Sequence, residues 1–350
     1  MSFQPNYQNI VYAALNKKSE RLPLYEHHIS PRIMEKLTGS GFSHLEEDDS
    51  PEGMREYFTH YCNFYRDFGY DTVTYEACIC QILPFGGALT HPQKAVITDR
   101  ESFKRYPFDE VKDIFIKRFD KRFAALRECL PEGMRCIGGV GNGVLELAQD
   151  LAGYENLCLL SYEDEELYTE IFKAVGRLQY SIWEWFLKNY SDLFCVCRFG
   201  DDLGFKSNTL LPYDDIRKHV VPQYKNVIDL IHSYGRPFLL HSCGNIFGVM
   251  DDLIAAGIDA KHSNEDQIAP MSEWVKMYGG KIGNFGGVDT DHLVRLDDEA
   301  LKKVVLEVLE LAGEKDGGFA VGSGNSIPDY VDPKKYLLMI DTVRRFRGDY

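Results

Sequence analysis

The sequence predicts an α/β fold: a single (β/α)8 (TIM) barrel preceded by an N-terminal helical extension. Three observations lead to this prediction. From about residue 70 onward, short β-rich runs alternate with amphipathic helical stretches. The crossovers between the runs span roughly 10 to 30 residues, and no change in composition divides the chain. A length of 350 residues suits one barrel, and a doubly wound open sheet is the alternative.

Seven runs have the composition of strands. They are residues 70–76, 134–140, 193–200, 236–244, 258–263, 281–288 and 318–324. A closed barrel needs an eighth strand, which we expect near residues 80–100 or in a stretch that the pattern does not reveal.

The helices are predicted from apolar residues at helical spacing. Residues 212–235 and 297–318 show this spacing, and each stretch leads directly into a predicted strand. Two further helical patterns, "PRIMEKLTG" and "PEGMREYFTHYCNFYRDFG", begin within residues 1–60. We therefore predict an N-terminal helical extension over residues 1–60 and one barrel domain over residues 61–350.

The composition of the chain indicates its class of partner, its location in the cell and the state of its cysteines. The chain has 54 acidic and 39 basic side chains, which gives a net charge of −15 and disfavours nucleic acid or an anionic membrane as the main partner. The chain has no run of about 18 apolar residues, which a membrane span would need. Its start has no basic segment followed by an apolar one, so we expect a cytoplasmic protein. The nine cysteines, an odd number scattered along the chain, are expected to be thiols.

Polar residues cluster where the predicted strands end. In a parallel barrel the working groups lie on the loops that follow the strands, so such residues are candidates for function. These residues are Asp201, Asp202 and Lys206, then His241 and Cys243, then Glu265 and Asp266, then Asp289, and finally Ser323 and Asn325.

The segment "HSCGN" contains the candidate metal ligands. While the chain stays extended, residues two apart point to the same side, so His241 and Cys243 share a face. Imidazole nitrogen and thiolate both suit Zn²⁺, and a catalytic zinc takes three protein ligands and keeps one position open. Glu265, at the end of the next strand, is the expected third ligand, and Ser323 would be a weaker one. The alternative is that Cys243 is a buried thiol and His241 a strand-end histidine.

The segment "FGDDLGFK" contains the candidate catalytic residues Asp201, Asp202 and Lys206. A neighbouring like charge raises the pKa of one carboxyl group, which would suit it to orient or protonate a substrate. The alternative is that Asp202 caps a loop and that Lys206 is a solvated charge. Asp289, Ser323 and Asn325 are expected to contact the substrate.

Three stretches together resemble the uroporphyrinogen decarboxylase superfamily, in order over roughly residues 60 to 350. They are "HSCGNIFGVMDDLIAAGIDAKHSNED", "YGGKIGNFGGVD" and "GGFAVGSGNSIPDYVDPKKYLLMIDTVRR". The resemblance implies a (β/α)8 barrel with its site at the strand ends, and it makes a homodimer plausible. Within the superfamily, His241-x-Cys243 is most similar to the zinc motif of the methyltransferases that work with corrinoid (cobalamin) proteins.

The resemblance has two departures. The final cysteine of that zinc motif is replaced by Ser323 in "GSG", and Glu265 resembles an acidic ligand that could complete the set. The arginine-rich N-terminal stretch and the C-terminal Gly-His-Gly of the true decarboxylase are absent, so the cationic groups that a polycarboxylate substrate needs are missing.

The resemblance therefore implies a zinc-dependent methyltransferase that moves a methyl group between a small methylated compound or thiol and a corrinoid protein. Zinc would be held by His241, Cys243 and Glu265. Two alternatives remain open: a metal-independent decarboxylase of a small acid or tetrapyrrole, and a non-catalytic protein that binds a corrinoid or tetrapyrrole.

Overall fold

Seven parallel strands form the centre of the protein in a computed structural model, which describes residues 3–89, 95–315 and 317–349. The strands lie side by side in chain order and form one sheet, a TIM-barrel-like arrangement. Each predicted strand is confirmed, with ends displaced by a few residues. The strands are β1 (Thr72–Cys78), β2 (Arg135–Gly141), β3 (Phe194–Gly200), β4 (Phe238–His241), β5 (Ala260–His262), β6 (Gly283–Val288) and β7 (Phe319–Ser323).

Helices connect the strands, as the predicted βα alternation requires. In the described ranges they are α1 (Gln8–Ala14), α2 (Pro31–Thr38), α3 (Pro51–Asp67), α4 (Arg100–Arg105), α5 (Phe108–Cys129), α6 (Val144–Ala152), α7 (Tyr154–Glu163), α8 (Glu165–Tyr190), α9 (Tyr213–Asp215), α10 (Val221–Ser233), α11 (Met250–Ala255), α12 (Met271–Tyr278), α13 (Thr290–Arg295), α14 (Asp298–Glu314) and α15 (Pro333–Arg347). A π-helical turn, Ile216–Val220, joins α9 to α10. Short 3₁₀ helices cover Ser43–Leu45, Ile79–Ile82 and Phe247–Val249.

Side-chain caps mark the starts of α3 and α14, two of the predicted helices. Ser50 accepts a hydrogen bond from the backbone N–H of Gly53 at the start of α3, and Pro51 occupies the first helical position. Asp297 accepts a bond from Ala300 at the start of α14 in the same way. These caps satisfy backbone donors that have no partner within the helix, and they fix where each helix starts.

A small apolar core lies between the strands, separate from the larger core that includes residues of the helices. Its members come from several strands, from α1 and from the segment between α1 and α2, and they include Ile10, Ala13, Tyr25, Ile137, Val196, Leu239, Ala260, Phe285 and Ala320. Because side chains two residues apart on a strand point the same way, His241 follows Leu239 and His262 follows Ala260 on the inner side of the sheet. The register pairs His241 with His262 directly.

The described ranges contain seven strands rather than the predicted eight. The part of residues 80–100 that the structure describes has no strand, and residues 90–94 lie outside it. Residues 23–29 instead lie along β7, where Tyr25 N donates to Val321 O at 2.9 Å and Ile327 N donates to His28 O at 2.8 Å. On the other side, Thr74 of β1 donates its hydroxyl proton to Glu26 O at 2.8 Å. The N-terminal segment therefore contacts both edge strands.

None of the helices that the structure describes is both long and apolar enough to span a bilayer. The predicted boundary at residue 60 stays a prediction.

Candidate metal centre at the carboxyl end of the sheet

The predicted pair His241 and Cys243 meets at the carboxyl end of β4. The Sγ atom of Cys243 lies 3.5 Å from Nε2 of His241, and Oδ1 of Asp202 lies 3.8 Å from the same nitrogen. Ligand-type atoms of the three residues all lie within 4.8 Å of one another. We refer to Asp202, His241 and Cys243 as the candidate ligand group.

Two tightly packed loops hold this group. The backbone N–H of Cys243 donates to Oδ1 of Asp202 at 2.9 Å, which ties the loop after β4 to the loop after β3. Gly244 has a φ of +84°, and a Cβ atom there would lie 2.1 Å from the carbonyl carbon of Gly204. Only glycine permits both that backbone conformation and that close approach.

The donor set fits Zn²⁺. A nitrogen at about 2.05 Å and a sulfur at about 2.3 Å from a tetrahedral zinc lie about 3.6 Å apart, close to the 3.5 Å between Nε2 of His241 and Sγ of Cys243. One imidazole, one thiolate and one carboxylate are all ligands that zinc accepts, and three protein ligands leave a fourth position for substrate. The group therefore has the composition of a catalytic zinc site, and its histidine–cysteine pair also has the spacing of one.

A second histidine-rich group lies beside the first and is less suited to a metal. His27, His241 and His262 also bring their ring nitrogens together, and the His27 ring stacks on His241 at a centroid distance of 3.7 Å. However, Nδ1 of His241 and Nδ1 of His262 are only 2.7 Å apart, whereas two nitrogens on one tetrahedral zinc are about 3.3 Å apart. The Arg198 guanidinium, which contacts Nδ1 of His27, would also repel a cation.

Burial keeps Cys243 and His241 neutral in the absence of metal. Burial, with a smaller contribution from the Asp202 carboxylate, raises the pKa of Cys243 to about 12. Burial, together with His262 and Arg198, holds the pKa of His241 well below its usual range. At neutral pH the cysteine is therefore a thiol that can donate to the imidazole, and a bound metal would replace that proton.

The adjacent residues Asp201 and Asp202 have different surroundings. Asp201 is buried, and its carboxylate accepts hydrogen bonds from Leu145 N, Glu146 N and the Tyr224 hydroxyl at 2.9, 2.8 and 2.6 Å. Its pKa is raised by burial to about 6, although these three bonds oppose the rise. The side chain of Asp202 is 46% exposed and belongs to the ligand group. The Asp201 carboxylate thus holds the start of α6, whereas Asp202 lies at the candidate centre.

Most of the other predicted residues line one cleft at the same end of the sheet. The cleft has a volume of about 370 Å³, and its walls include Lys206, Glu265, Asp289 and Asn325. Lys206 donates to Oε1 of Gln267 at 2.6 Å. The amide of Asn325 donates to Sγ of Cys243 at 3.2 Å, so the cleft adjoins the ligand group.

Glu265 and Asp289 make contacts with backbone groups. Oε1 of Glu265 accepts from Gly244 N at 3.3 Å. Among the described residues, Glu265 belongs neither to the candidate ligand group nor to the histidine-rich group beside it. Asp289 caps α13 through Asp291 N at 2.8 Å and also accepts from Asp266 N at 2.7 Å.

Ser323 is buried below the ligand group. Its hydroxyl contacts Oε2 of Glu26 and donates to Asn325 O at 2.6 Å. Its backbone carbonyl accepts from Nε2 of His262 at 2.9 Å. Ser323 therefore touches neighbours of both His241 and Cys243.

Several site residues were not predicted from the sequence. Arg198 is buried, forms an ion pair with Glu76 at 2.7 Å, and donates to the Tyr25 hydroxyl at 3.0 Å. His27 comes from the N-terminal segment, and no spacing rule connects it to β4. His262 could have been found, because it ends a predicted strand as His241 does.

Glu146 is the other unpredicted residue near Asp202. Its pKa is raised well above the usual range by burial and by the charges of Asp201 and Asp202. Its Oε1 atom accepts from Asp202 N at 3.3 Å. The glycine-rich loop that leads into α6 gives no sign that this glutamate faces the site.

The comparison with solved structures supports the fold. The chain is similar to a methyltransferase from Methanosarcina mazei, with a TM-score of 0.72, 14% sequence identity, and coverage of 98% of this chain and 99% of that one. It is also similar to a glycoside hydrolase family 5 enzyme from Prevotella bryantii B14, with a TM-score of 0.45, 9% identity, and coverage of 99% and 100%. At 14% identity the likeness to the M. mazei enzyme concerns the fold alone.

A comparison with curated proteins finds no match to this chain. The family model described as uroporphyrinogen decarboxylase (URO-D), however, matches residues 8–346. That range includes every residue of the candidate ligand group, the cleft and the N-terminal segment that contacts β7. Since the family model covers nearly the whole chain, this protein belongs to the uroporphyrinogen decarboxylase family.

Proposed function

We propose that the protein is a zinc-dependent methyltransferase that moves a methyl group between a small methylated compound or thiol and a corrinoid carried by a partner protein. The observation that carries the proposal is the meeting of Asp202, His241 and Cys243 at one point of the sheet. The M. mazei methyltransferase, similar in fold over almost its whole length, supports it.

In this proposal Zn²⁺ is held by His241 and Cys243 with Asp202 as third ligand, rather than Glu265. Asp202 is favoured because its carboxylate lies 3.8 Å from Nε2 of His241, whereas Glu265 accepts from the backbone of Gly244. When bound, zinc supplies Lewis acidity toward the substrate heteroatom.

The remaining roles belong to the protein's own side chains. Asn325 donates to Sγ of Cys243, which moderates the charge on a thiolate and keeps it in place. The cleft next to Asn325 takes the methyl-bearing compound or thiol, with Lys206 at its edge. Asp201 keeps the loop after β3 in position through the start of α6.

The wider features of the proposal follow the family. Residues 23–29 take the place of the eighth strand and complete a (β/α)8 barrel.

The corrinoid protein approaches the cleft, beside which Phe205 and Tyr330 are 62% and 74% exposed. We propose a cytoplasmic location, and a homodimer is consistent with the family.

A second candidate, decarboxylation of a small acid, is favoured by one observation. Glu146, Asp201 and Asp202 lie together, and the pKa of Glu146 is raised well above its usual range. A neutral carboxyl could donate its proton to the carbon atom that keeps the electron pair when carbon dioxide leaves. Lys206 or His241 would hold the substrate carboxylate.

Metal content and methyl transfer test the first proposal together. Elemental analysis of the wild type should find about one zinc per chain. C243A should lose it, whereas C158A, which removes a half-buried thiol from α7, should retain it. With methylcobalamin and a small thiol as probes, the thiol should lose its proton to solvent and its sulfur should take the methyl group. The electron pair of the cobalt–carbon bond should stay on cobalt as cob(I)alamin.

Zinc content and the rate of methyl transfer should both fall in C243A and stay unchanged in C158A. Zinc-free wild-type protein, even after reconstitution under reducing conditions, would overturn the metal assignment. Metal-independent release of carbon dioxide from a small acid would favour the second candidate.

A further inference from the structure

A chain of hydrogen bonds decides which nitrogen of His241 has a free lone pair. It starts at the backbone carbonyl of Ser323, which lies 2.9 Å from Nε2 of His262. A carbonyl oxygen has no proton to give, so Nε2 of His262 carries the hydrogen. His262 is fully buried, and its two ring nitrogens face a carbonyl oxygen and another imidazole rather than a carboxylate. A buried imidazole without an opposite charge beside it is neutral, so its Nδ1 atom is an acceptor.

The next bond transfers this constraint to β4. Nδ1 of His241 faces Nδ1 of His262 at 2.7 Å, and because the latter accepts, the former must donate. His241 is buried as well, and a neutral ring that has its proton on Nδ1 has none on Nε2. That nitrogen is the one that points toward Sγ of Cys243 and Oδ1 of Asp202.

A second set of contacts from Ser323 reaches the sulfur atom. The Ser323 hydroxyl has one proton but two acceptor-type neighbours, Oε2 of Glu26 and Asn325 O. Both contacts are satisfied if Glu26 carries a proton and donates to Ser323, which then donates to Asn325. Glu26 is fully buried, which raises its pKa to about 8, in agreement with a neutral carboxyl group. The Asn325 amide in turn donates to Sγ of Cys243.

We infer that His262, Ser323 and Glu26 are positioning residues that orient both His241 and Cys243 for a metal ion without touching it. Ser323 takes part in both branches, through its carbonyl toward His241 and through its hydroxyl toward Cys243. Ser323 therefore orients the ligands rather than binding the metal itself. The inference rests on the proposed zinc site, which a separate arm of the experiment tests.

The first measurement uses the metal-free wild type. Long-range ¹H–¹⁵N correlation spectra of protein labelled with ¹⁵N-histidine should show His241 protonated at Nδ1 and unprotonated at Nε2, and His262 the reverse. The opposite tautomer at His241 would overturn the inference, and this readout needs no mutant that might fail to fold.

The second measurement uses the affinity for Zn²⁺ alone, by competition with a chelating dye, and the absorption spectrum of the Co²⁺ form. H262L removes the acceptor for His241 and should weaken zinc binding about 10- to 100-fold. H262N puts an amide oxygen near the position of Nδ1 and should recover most of that loss. E26Q keeps a hydrogen-bond donor toward Ser323 and should bind zinc as the wild type does.

S323A separates the two branches. It keeps the carbonyl that holds His262 but removes the hydroxyl, so the thiolate-to-cobalt absorption band should shift while the histidine tautomers stay as in the wild type. Wild-type zinc affinity in H262L, together with an unshifted thiolate-to-cobalt band in S323A, would overturn the inference and leave the proposed function intact. A wild-type protein that binds no zinc would overturn both the inference and the proposed function.

Discussion

The Nδ1 atoms of His241 and His262 face each other at 2.7 Å across the register that joins β4 to β5. Neutral imidazoles at this separation share one proton, so the state of one ring sets the state of the other. This contact links the last inward-facing residue of one strand to that of the next, and it leaves the opposite nitrogen of His241 directed at the candidate ligand group.

The third metal ligand can be identified with two conservative substitutions. D202N removes a charged ligand but keeps an oxygen that can accept from Cys243 N, so we expect zinc affinity to fall by more than about 100-fold with little loss of stability. E265Q is the matched control and should change the affinity less than about threefold. Dye competition at fixed pH measures both, and the reverse order would assign Glu265 as the ligand.

Asp201 should be important for stability. D201N leaves an amide nitrogen where the carboxylate accepted bonds from α6 and Tyr224, so we expect a loss of about 2 kcal/mol in the free energy of unfolding. Urea denaturation at pH 7 measures this loss. D202N, with a half-exposed side chain, should lie within about 0.5 kcal/mol of the wild type. Equal effects of the two substitutions would contradict the separation of roles.

Glu26 should make stability fall as pH rises. Burial raises its pKa from 4.5 to about 8, so between these values the folded state binds a proton that the unfolded state has released. The free energy of unfolding therefore decreases as pH increases through this window. E26Q should remove that pH dependence. Its free energy of unfolding at pH 8 should exceed that of the wild type by at least about 1 kcal/mol.

Thermal or urea unfolding from pH 5 to pH 8 tests this dependence. Parallel pH profiles for E26Q and the wild type would show that Glu26 is ionised in the folded protein. In that case the hydroxyl of Ser323 would donate its proton to the Glu26 carboxylate, and the proposed hydrogen bond from Ser323 to Asn325 would be absent.

The close approach of the two loops should be essential for metal binding. G244A places a methyl group against the backbone of Gly204 and displaces the neighbouring Cys243, so zinc affinity should fall at least about 10-fold. G235A is the control, because Gly235 also has a positive φ, +67°, but a methyl group added there would meet no atom within 4 Å. It should cost about 1 kcal/mol of stability and leave zinc affinity unchanged.

The sequence by itself determined the seven strands and the position of the candidate site residues at their carboxyl ends. Local periodicity and turn residues mark buried strands because burial and backbone geometry act over a few neighbouring residues. The pair His241 and Cys243 was also predictable, since their separation of two residues keeps them on one side of an extended chain. The resemblance to the family, read from the same motifs, is confirmed by the match over residues 8–346.

Only the tertiary structure decided which distant residues complete the site. Asp202 and Asp201 are adjacent in the chain, yet one belongs to the ligand group and the other binds the start of α6. His27 and Glu26 come from the N-terminal segment, which reaches the site by lying along β7. These contacts depend on how elements far apart in the chain pack together, and local spacing does not encode that packing.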